Sequence, residues 1–442
     1  MMLQKIEKII FYVFLFSIPF QIRKILFYQK WGFIEWQSFS IYATDLLLIL
    51  LFIFWVISLI KNNSTRSSFK IQFYDYFIFA LIVVSAISIK NAINPTLGFY
   101  QLIKLAEFVF FYLYIKCYAI NRFNFDYALI TLIASGIFQS IIGILQFIKK
   151  SNIGLKILGE SPLNINASGV AVFFNTAGEK VMRAYGTTPH PNVLATFLFL
   201  TIFAFYFVWI YKRKIGTIDY ILLAGYGIML FAFFLTFSRT FIFIWLCGFI
   251  IRGLLILFKK DFYKKYWLDN QSRKKLLIIL FFTIAIGLLF AIFFWSDVLS
   301  RLTISGNEEA VQLRMFYNSE SLKTNLNLFG VGIGNFVSWL MAKNPNLLAR
   351  IYQPVHNIYL LIYSETGLLG ISAFALFLIF LIKDFIYKTK LRNLYHYSFL
   401  LVLLSLLTIG LFDHFLWTLQ QGRFIFWMVL ALISSSKEYL KT

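Results

Sequence analysis

The sequence predicts an all-α polytopic membrane protein of about twelve transmembrane helices, and three observations lead there. Of 442 residues, 60% are hydrophobic and 20% aromatic, and the mean hydropathy is +0.77. Only 14% are charged, against roughly a quarter in a soluble domain, so the chain could not cover its own surface in water. The charge is also lopsided, with 41 Lys+Arg against 19 Asp+Glu and a net +22. It falls in short clusters between long apolar runs, the pattern of topogenic charge rather than of a nucleic-acid surface. Disorder, collagen and coiled coil are excluded on the same grounds. Cys117 and Cys247, the two cysteines, offer neither a disulfide framework nor a zinc motif.

A helix crosses the hydrocarbon with about 20 mostly apolar residues. Such stretches run at roughly 8–28, 41–60, 73–90, 97–116, 126–148, 191–211, 217–237, 240–258, 276–295, 356–382, 396–413 and 420–436. Arg23 and Lys24 shorten the apolar part of the first, which lacks a small-residue cleavage site and reads as a retained helix. Arg423 sits near the start of the last.

With Lys5 and Lys8 placed in the cytoplasm, alternation puts most basic clusters inside. They are Lys61, Arg66 and Lys70; Lys116 and Arg122; Lys212, Arg213 and Lys214. The run Lys259 to Lys275, the group Lys383 to Arg392, and Lys437 with Lys441 complete them. Outer connections carry fewer: Lys90, Arg239, and Arg23, Lys24 and Lys30; Lys149 and Lys150 run against the trend. The asymmetry has the sign of the positive-inside rule, so both termini are expected in the cytoplasm. Residues 1–442 read as one integral membrane domain. Two outer segments are long, 149–190 and 296–355, the second lying between helices nine and ten with short helices expected in it. Loops of that length are uncommon without a function.

Alternation places four unusual segments on one face. Arg183-Ala-Tyr-Gly-Thr-Thr-Pro-His190-Pro-Asn192 enters the sixth helix, and Ser238-Arg239-Thr240 forms a hairpin. Arg314 precedes Phe329-Gly-Val-Gly-Ile-Gly-Asn335-Phe336, and His356-Asn357-Ile-Tyr359 runs into Glu365-Thr-Gly367-Leu-Leu-Gly370. A guanidinium at the edge of an apolar run, as at Arg239, marks a functional site unless it snorkels to headgroups. Arg183, Arg239 and Arg314 together suit an anionic phosphate group, because arginine stays charged and grips oxygens with a planar fork. His356 fits a general base or hydrogen-bond partner. His190 and Asn192 stand at a second helix mouth, while Asn357 and Tyr359 are placed to orient an acceptor hydroxyl.

Glu365 follows His356 by nine residues, about 13 Å along a helix, and needs a partner such as an arginine. Asp413-His414 and Arg423 form a second tier. Lys104 and Glu107, at i,i+3, should satisfy each other. The glycines at 330, 332 and 334 lack the strand–turn–helix context of a nucleotide site and read as a turn letting backbone approach a ligand. Outer acidic residues are scattered, so neither a metal nor another cofactor is expected.

These motifs together resemble the O-antigen ligase and polymerase family, most specifically in His356-Asn-x-Tyr-Leu…Glu365-x-Gly-Leu-Leu-Gly370, with the likeness running over roughly 170–380. The resemblance implies a C-type glycosyltransferase architecture and a donor glycan on undecaprenyl pyrophosphate, presented at the outer face of the bacterial cytoplasmic membrane. It implies that Arg239 and Arg314 bind pyrophosphate, that Arg183 assists, and that His356 activates the acceptor hydroxyl in an inverting, metal-independent displacement. His190, Asn192, Asn335, Asn357, Tyr359 and Glu365 would contact substrate. The acceptor would be lipid A-core for a ligase, the reading ranked first, or another lipid-linked repeat for a polymerase. A protein glycosyltransferase and a lipid-linked sugar transporter are the remaining alternatives. Transport would call for internal repeats and charges through both membrane halves, neither of which the sequence displays.

Overall fold

The computed structural model describes residues 2–28, 33–61, 69–211, 217–302, 308–324 and 328–435. Lys30, Arg66, Lys212, Arg213, Lys214, Lys437 and Lys441, which support the orientation reading, lie outside the described residues.

The chain is mainly helical. Among the described residues its α-helices of four or more residues are α1 Met2–Ser17, α2 Ala43–Lys61, α3 Asp75–Ser88, α4 Pro95–Tyr114, α5 Phe125–Lys149, α6 Pro191–Tyr211, α7 Thr217–Leu235 and α8 Arg239–Phe258. There follow α9 Asn270–Phe293, α10 Trp295–Leu302, α11 Glu309–Leu322, α12 Phe336–Lys343, α13 Ile358–Thr389, α14 Leu394–Ile409, α15 Phe415–Thr418 and α16 Gln420–Ser435. A helix lies in each apolar stretch read from the sequence. Among the described residues, six are long and apolar enough to cross a membrane: α2, α5, α6, α8, α9 and α13. The chain is therefore an all-α membrane protein.

Helix starts follow local chemistry. Asn94 accepts from the Leu97 amide (3.1 Å) ahead of Pro95, Asn124 from Tyr127 (3.0 Å) and Asp269 from Ser272 (2.8 Å). Each satisfies a donor that the first helical turn leaves open.

The first helix is shorter than its apolar run. It ends at Ser17, and Arg23–Phe27 forms strand β1, antiparallel to β2, Phe39–Tyr42, with Arg23 opposite Tyr42. Pro19 disfavours helical backbone just before it, and the Arg23 guanidinium leaves the helix to pair with Glu35 (2.7 Å through Nη2).

The chain divides into two compact units. The first comprises residues 1–22, 123–304 and 392–405. Its α6 is enclosed along almost its whole length: 94% of its most apolar window is buried, which is why it is apolar all round rather than on one face. Gly136 of α5 permits this, since a Cβ there would lie 2.6 Å from the Thr201 hydroxyl of α6. Small residues at such contacts let helices approach in lipid. Above α5, the Glu160 carboxylate accepts from the amides of Ile153, Gly154 and Leu155 (2.6–2.9 Å) and from Gln146. A hairpin of β3, Val172–Phe174, and β4, Lys180–Met182, follows.

The second unit comprises residues 23–122, 305–391 and 406–442. A buried ionic group lies inside it: Lys104 bonds Asp45 at 2.6 Å and Glu107 at 2.9 Å. The i,i+3 pair expected from sequence is present, with Asp45 of α2 as a third member. Charges this enclosed persist only when partnered. Helix α13 is interrupted at Gly367, whose φ of 70° and ψ of −168° break the helical path.

Candidate functional site

The entry to α6 is built by side chains that bond backbone. Gly186 takes a left-handed φ of 62°, and a Cβ there would meet the Gln139 side chain at 2.6 Å. Gln139 accepts from the Thr187 amide (2.8 Å) and Gln146 donates to the Gly186 carbonyl (2.8 Å). The segment is thereby held against α5 where lipid would leave its amides unpaired. Arg183 then reaches across the first unit, its Nε donating to the Thr236 carbonyl (2.5 Å) and its Nη2 to Asn192 Oδ1 (2.7 Å). Ser238 donates to the same Asn192 oxygen (2.9 Å), and the Asn192 amide donates to His190 Nδ1 (3.2 Å). Arg239 is the first residue of α8, immediately after this clamp, and is half-buried. Phe237, at a φ of 45°, makes the sharp turn that delivers it. Arg183, His190, Asn192 and Arg239 thus belong to one unit.

Arg314 and His356 belong to the other. The His356 ring stacks on Tyr317 of α11, with centroids 5.4 Å apart and planes 13° from parallel. His414 meets it edge-on at 4.8 Å, and Trp36 stands edge-on to His414 at 4.9 Å. His414 Nδ1 lies 2.7 Å from the Thr418 hydroxyl, and its backbone amide donates to Asp413 (2.8 Å). Tyr317 donates to the Ile351 carbonyl (2.7 Å), and burial beside Glu309 pushes its phenol up to about 12. Arg314 sits three residues before Tyr317 and so on the same helical face; its Nε is buried without a hydrogen-bond partner among the described residues.

Burial lowers the His356 pKa from its ordinary value; the Asp413 carboxylate raises it, the Arg314 guanidinium lowers it, and a bond with the Pro354 carbonyl raises it, with the lowering prevailing. The ring is neutral at pH 7. Its Nδ1 is buried and has no hydrogen-bond partner among the described residues. A neutral imidazole beside a guanidinium can take a proton from an incoming hydroxyl.

Other residues singled out in the sequence have bonds that build structure. Asn357 caps α13, accepting from the amides of Tyr359 (2.9 Å) and Leu360 (3.1 Å), and Tyr359 donates to the Leu407 carbonyl (2.7 Å). Asn335 exchanges bonds with the Asn94 backbone, accepting at 2.8 Å and donating at 3.1 Å, and is fully buried. The Glu365 carboxylate accepts from the amides of Gly334 and Phe336. The glycine run is the other half of that contact: Val331 and Gly332 donate to the carbonyls of Ser364 and Glu365 (both 2.9 Å). A Cβ on Gly330 would lie 2.5 Å from the Glu365 backbone. The close approach that the glycines permit is to α13.

Sequence reading ranked Asp413-His414 second and passed over Tyr317 and Trp36. The rarity of histidine, four in the chain, was a usable signal for His414. Nothing local marks Trp36, which arrives from 320 residues before His356. Among the described residues, no group of three or more His, Cys, Asp or Glu side chains is placed to hold a metal ion.

Residues 224–375 match the family model described as O-antigen ligase. The match takes in Ser238-Arg239, Arg314, the glycine run and His356 to Gly370, and leaves Arg183 to Asn192 outside. No curated protein matches the chain.

Proposed function

We propose, from the O-antigen ligase domain that residues 224–375 carry, that the chain transfers a glycan from undecaprenyl pyrophosphate to an acceptor hydroxyl. The site faces the exterior of the bacterial cytoplasmic membrane, with twelve spans and both termini inside. The acceptor is lipid A-core. Supporting this reading is the His356 cluster, a half-buried neutral imidazole with an unpartnered Nδ1.

In this reading the acceptor oxygen attacks the anomeric carbon of the donor. Its proton passes to His356 while the bond from anomeric carbon to phosphate oxygen breaks, and the electron pair leaves on the pyrophosphate. Inversion follows from the single displacement. Charge grows on the leaving pyrophosphate, which is where fixed cations lower the barrier most. Arg239 and Arg314 are assigned that task, and no metal is assigned a part. Arg183 and Asn192 hold the Ser238 turn and so aim Arg239. Asn357, Asn335 and Glu365 are assigned to shaping the helix mouth and the glycine turn.

Deleting the gene and analysing the surface glycan tests the assignment. A ligase leaves lipid A-core bare while lipid-linked polymer accumulates. A single repeat on the core identifies a polymerase instead, and unchanged glycan with altered protein mobility a protein glycosyltransferase. Arrest of lipid-linked glycan on the cytoplasmic side would identify a transporter and end the transfer reading.

A further inference from the structure

A groove opens on the second unit toward the far end of α13 from His356. Lys383, in its wall, follows His356 by 27 residues, up to about 40 Å of helical rise, so the groove has no part in the steps above. Its volume is about 570 Å3, within the range of small-molecule sites. Phe73, Phe380, Ile386 and Tyr387 give it an apolar wall. Phe380 is held there by packing: Phe77 of α3 stacks on it, with centroids 5.5 Å apart and planes 4° from parallel, and Phe73 meets it edge-on at 5.3 Å. The groove is open to the outside, since Phe73 and Tyr387 are 63% and 80% exposed.

Its place along the chain says what surrounds it. In α13, long and apolar enough to cross a membrane, the stretch from Thr366 to Ile382 carries no charge, and Lys383 and Asp384 end it. In α3 the stretch from Tyr76 to Ile89 carries none, and Gln72 and Asp75 stand before it. The groove thus lies where hydrocarbon gives way to headgroups, a level at which tyrosine rings are enriched and lysine sends its ammonium outward along an apolar stem.

Charge decides which lipid it suits. Asp384, the carboxylate in the wall, is taken by Lys388, and Asp75, beside Tyr74 of the wall, is taken by Lys116. Lys388 also donates to Gln72 (3.4 Å). Lys383 is exposed and has the face of Phe380 at 5.9 Å, but no ion pair among the described residues. An apolar trough with an unneutralised cation at its rim matches a molecule with a hydrocarbon chain below an anionic group.

We propose that this groove seats an anionic glycerophospholipid of the surrounding membrane, with an acyl chain on Phe73, Phe380 and Ile386 and the phosphate group at the Lys383 ammonium. The proposal goes beyond the transfer reading and does not depend on it.

The test is native mass spectrometry of the full-length protein in detergent, titrated with phosphatidylglycerol and, separately, with phosphatidylcholine of the same chains. Wild type should bind phosphatidylglycerol about fivefold more tightly, the worth of one lysine beside an anionic headgroup. Lys383→Gln should abolish that preference and leave phosphatidylcholine within about twofold. Ile386→Trp, which fills the groove, should weaken both lipids. Both positions are exposed, and an unfolding temperature near that of wild type confirms that each variant is folded. Equal affinities in wild type, or a preference that survives Lys383→Gln, overturn the assignment. So does an equal loss in Lys260→Gln, an exposed lysine of the other unit, which would show diffuse attraction to basic residues in place of a site. Displacement of phosphatidylglycerol by equimolar undecaprenyl pyrophosphate would put the donor's own lipid in the groove and also overturn it.

Discussion

At the Arg183 turn, charged and amide side chains bond to backbone or to one another: Arg183 to the Thr236 carbonyl and Asn192, Ser238 to the same Asn192 oxygen. At His356 the contacts are ring against ring, with Tyr317 stacked and His414 edge-on, and Nδ1 is left without a partner among the described residues. The first arrangement is a clamp, whose hydrogen bonds fix where a neighbouring group points. The second holds the imidazole chiefly by packing and leaves its Nδ1 unbonded among the described residues. A motif residue therefore says little by itself; what its polar atoms already bond determines whether it can meet a substrate.

Six substitutions break or sharpen that contrast. The largest effect is expected for His356→Ala, which removes the proposed base and should lower transfer roughly 10²–10⁴-fold, measured per amount of protein in the membrane. Wild-type transfer by this variant would mean that the packed ring is only structural. Next, Arg239→Ala should lose about 10²-fold or more in kcat, in line with removal of a preorganised donor at developing charge. Arg239→Lys should recover little, since a point charge lacks the fork; near-normal activity would count against pyrophosphate gripping.

A smaller loss is expected at the clamp. Asn192→Leu strips the shared acceptor from Arg183 and Ser238 and should destabilise the protein by about 1–3 kcal/mol, read as a lower unfolding temperature. Transfer should drop about tenfold through misaimed Arg239. Activity lost without a change in unfolding temperature would show Asn192 touching substrate instead of holding the turn.

The smallest effect is on pH dependence. With His356 as the proposed base, the acid limb of transfer should lie below the ordinary histidine value, because burial lowers the pKa. Arg314→Gln removes a charge that lowers it, so the limb should move to higher pH. Asp413→Asn removes the charge that raises it, and the limb should move to lower pH. Rate profiles of the two variants that shift in the same direction would disprove the electrostatic arrangement.

Much of this was readable in the chain. Apolar runs of about 20 residues become helices because the backbone must satisfy itself in lipid, a rule that acts locally. Caps such as Asn94 before Pro95 and Asn124 are local too. The first run was seen to be shortened by Arg23 and Lys24, but hydropathy registers neither that the helix stops at Ser17, ahead of Pro19, nor that Arg23 has a carboxylate to meet at Glu35. The glycine run was read as letting backbone approach a ligand, whereas the close approach in the structure is to protein backbone. Its partner, the backbone of Glu365 in α13, lies 35 residues further on and has no local signature.

By itself, then, the sequence determined the solvent this protein lives in, where its helices fall, and which rare polar residues are candidates for chemistry. Those follow from hydrophobic length, charge placement and residue type, each a property of a short stretch. Only the tertiary structure decided that Asn335 pairs with Asn94, that Glu365 seats a glycine turn, and that Tyr317 and His414 pack against His356. Such outcomes depend on hydrogen-bond valence and ring packing between segments from tens to hundreds of residues apart, which are set when the helices pack and have no imprint on any one of them.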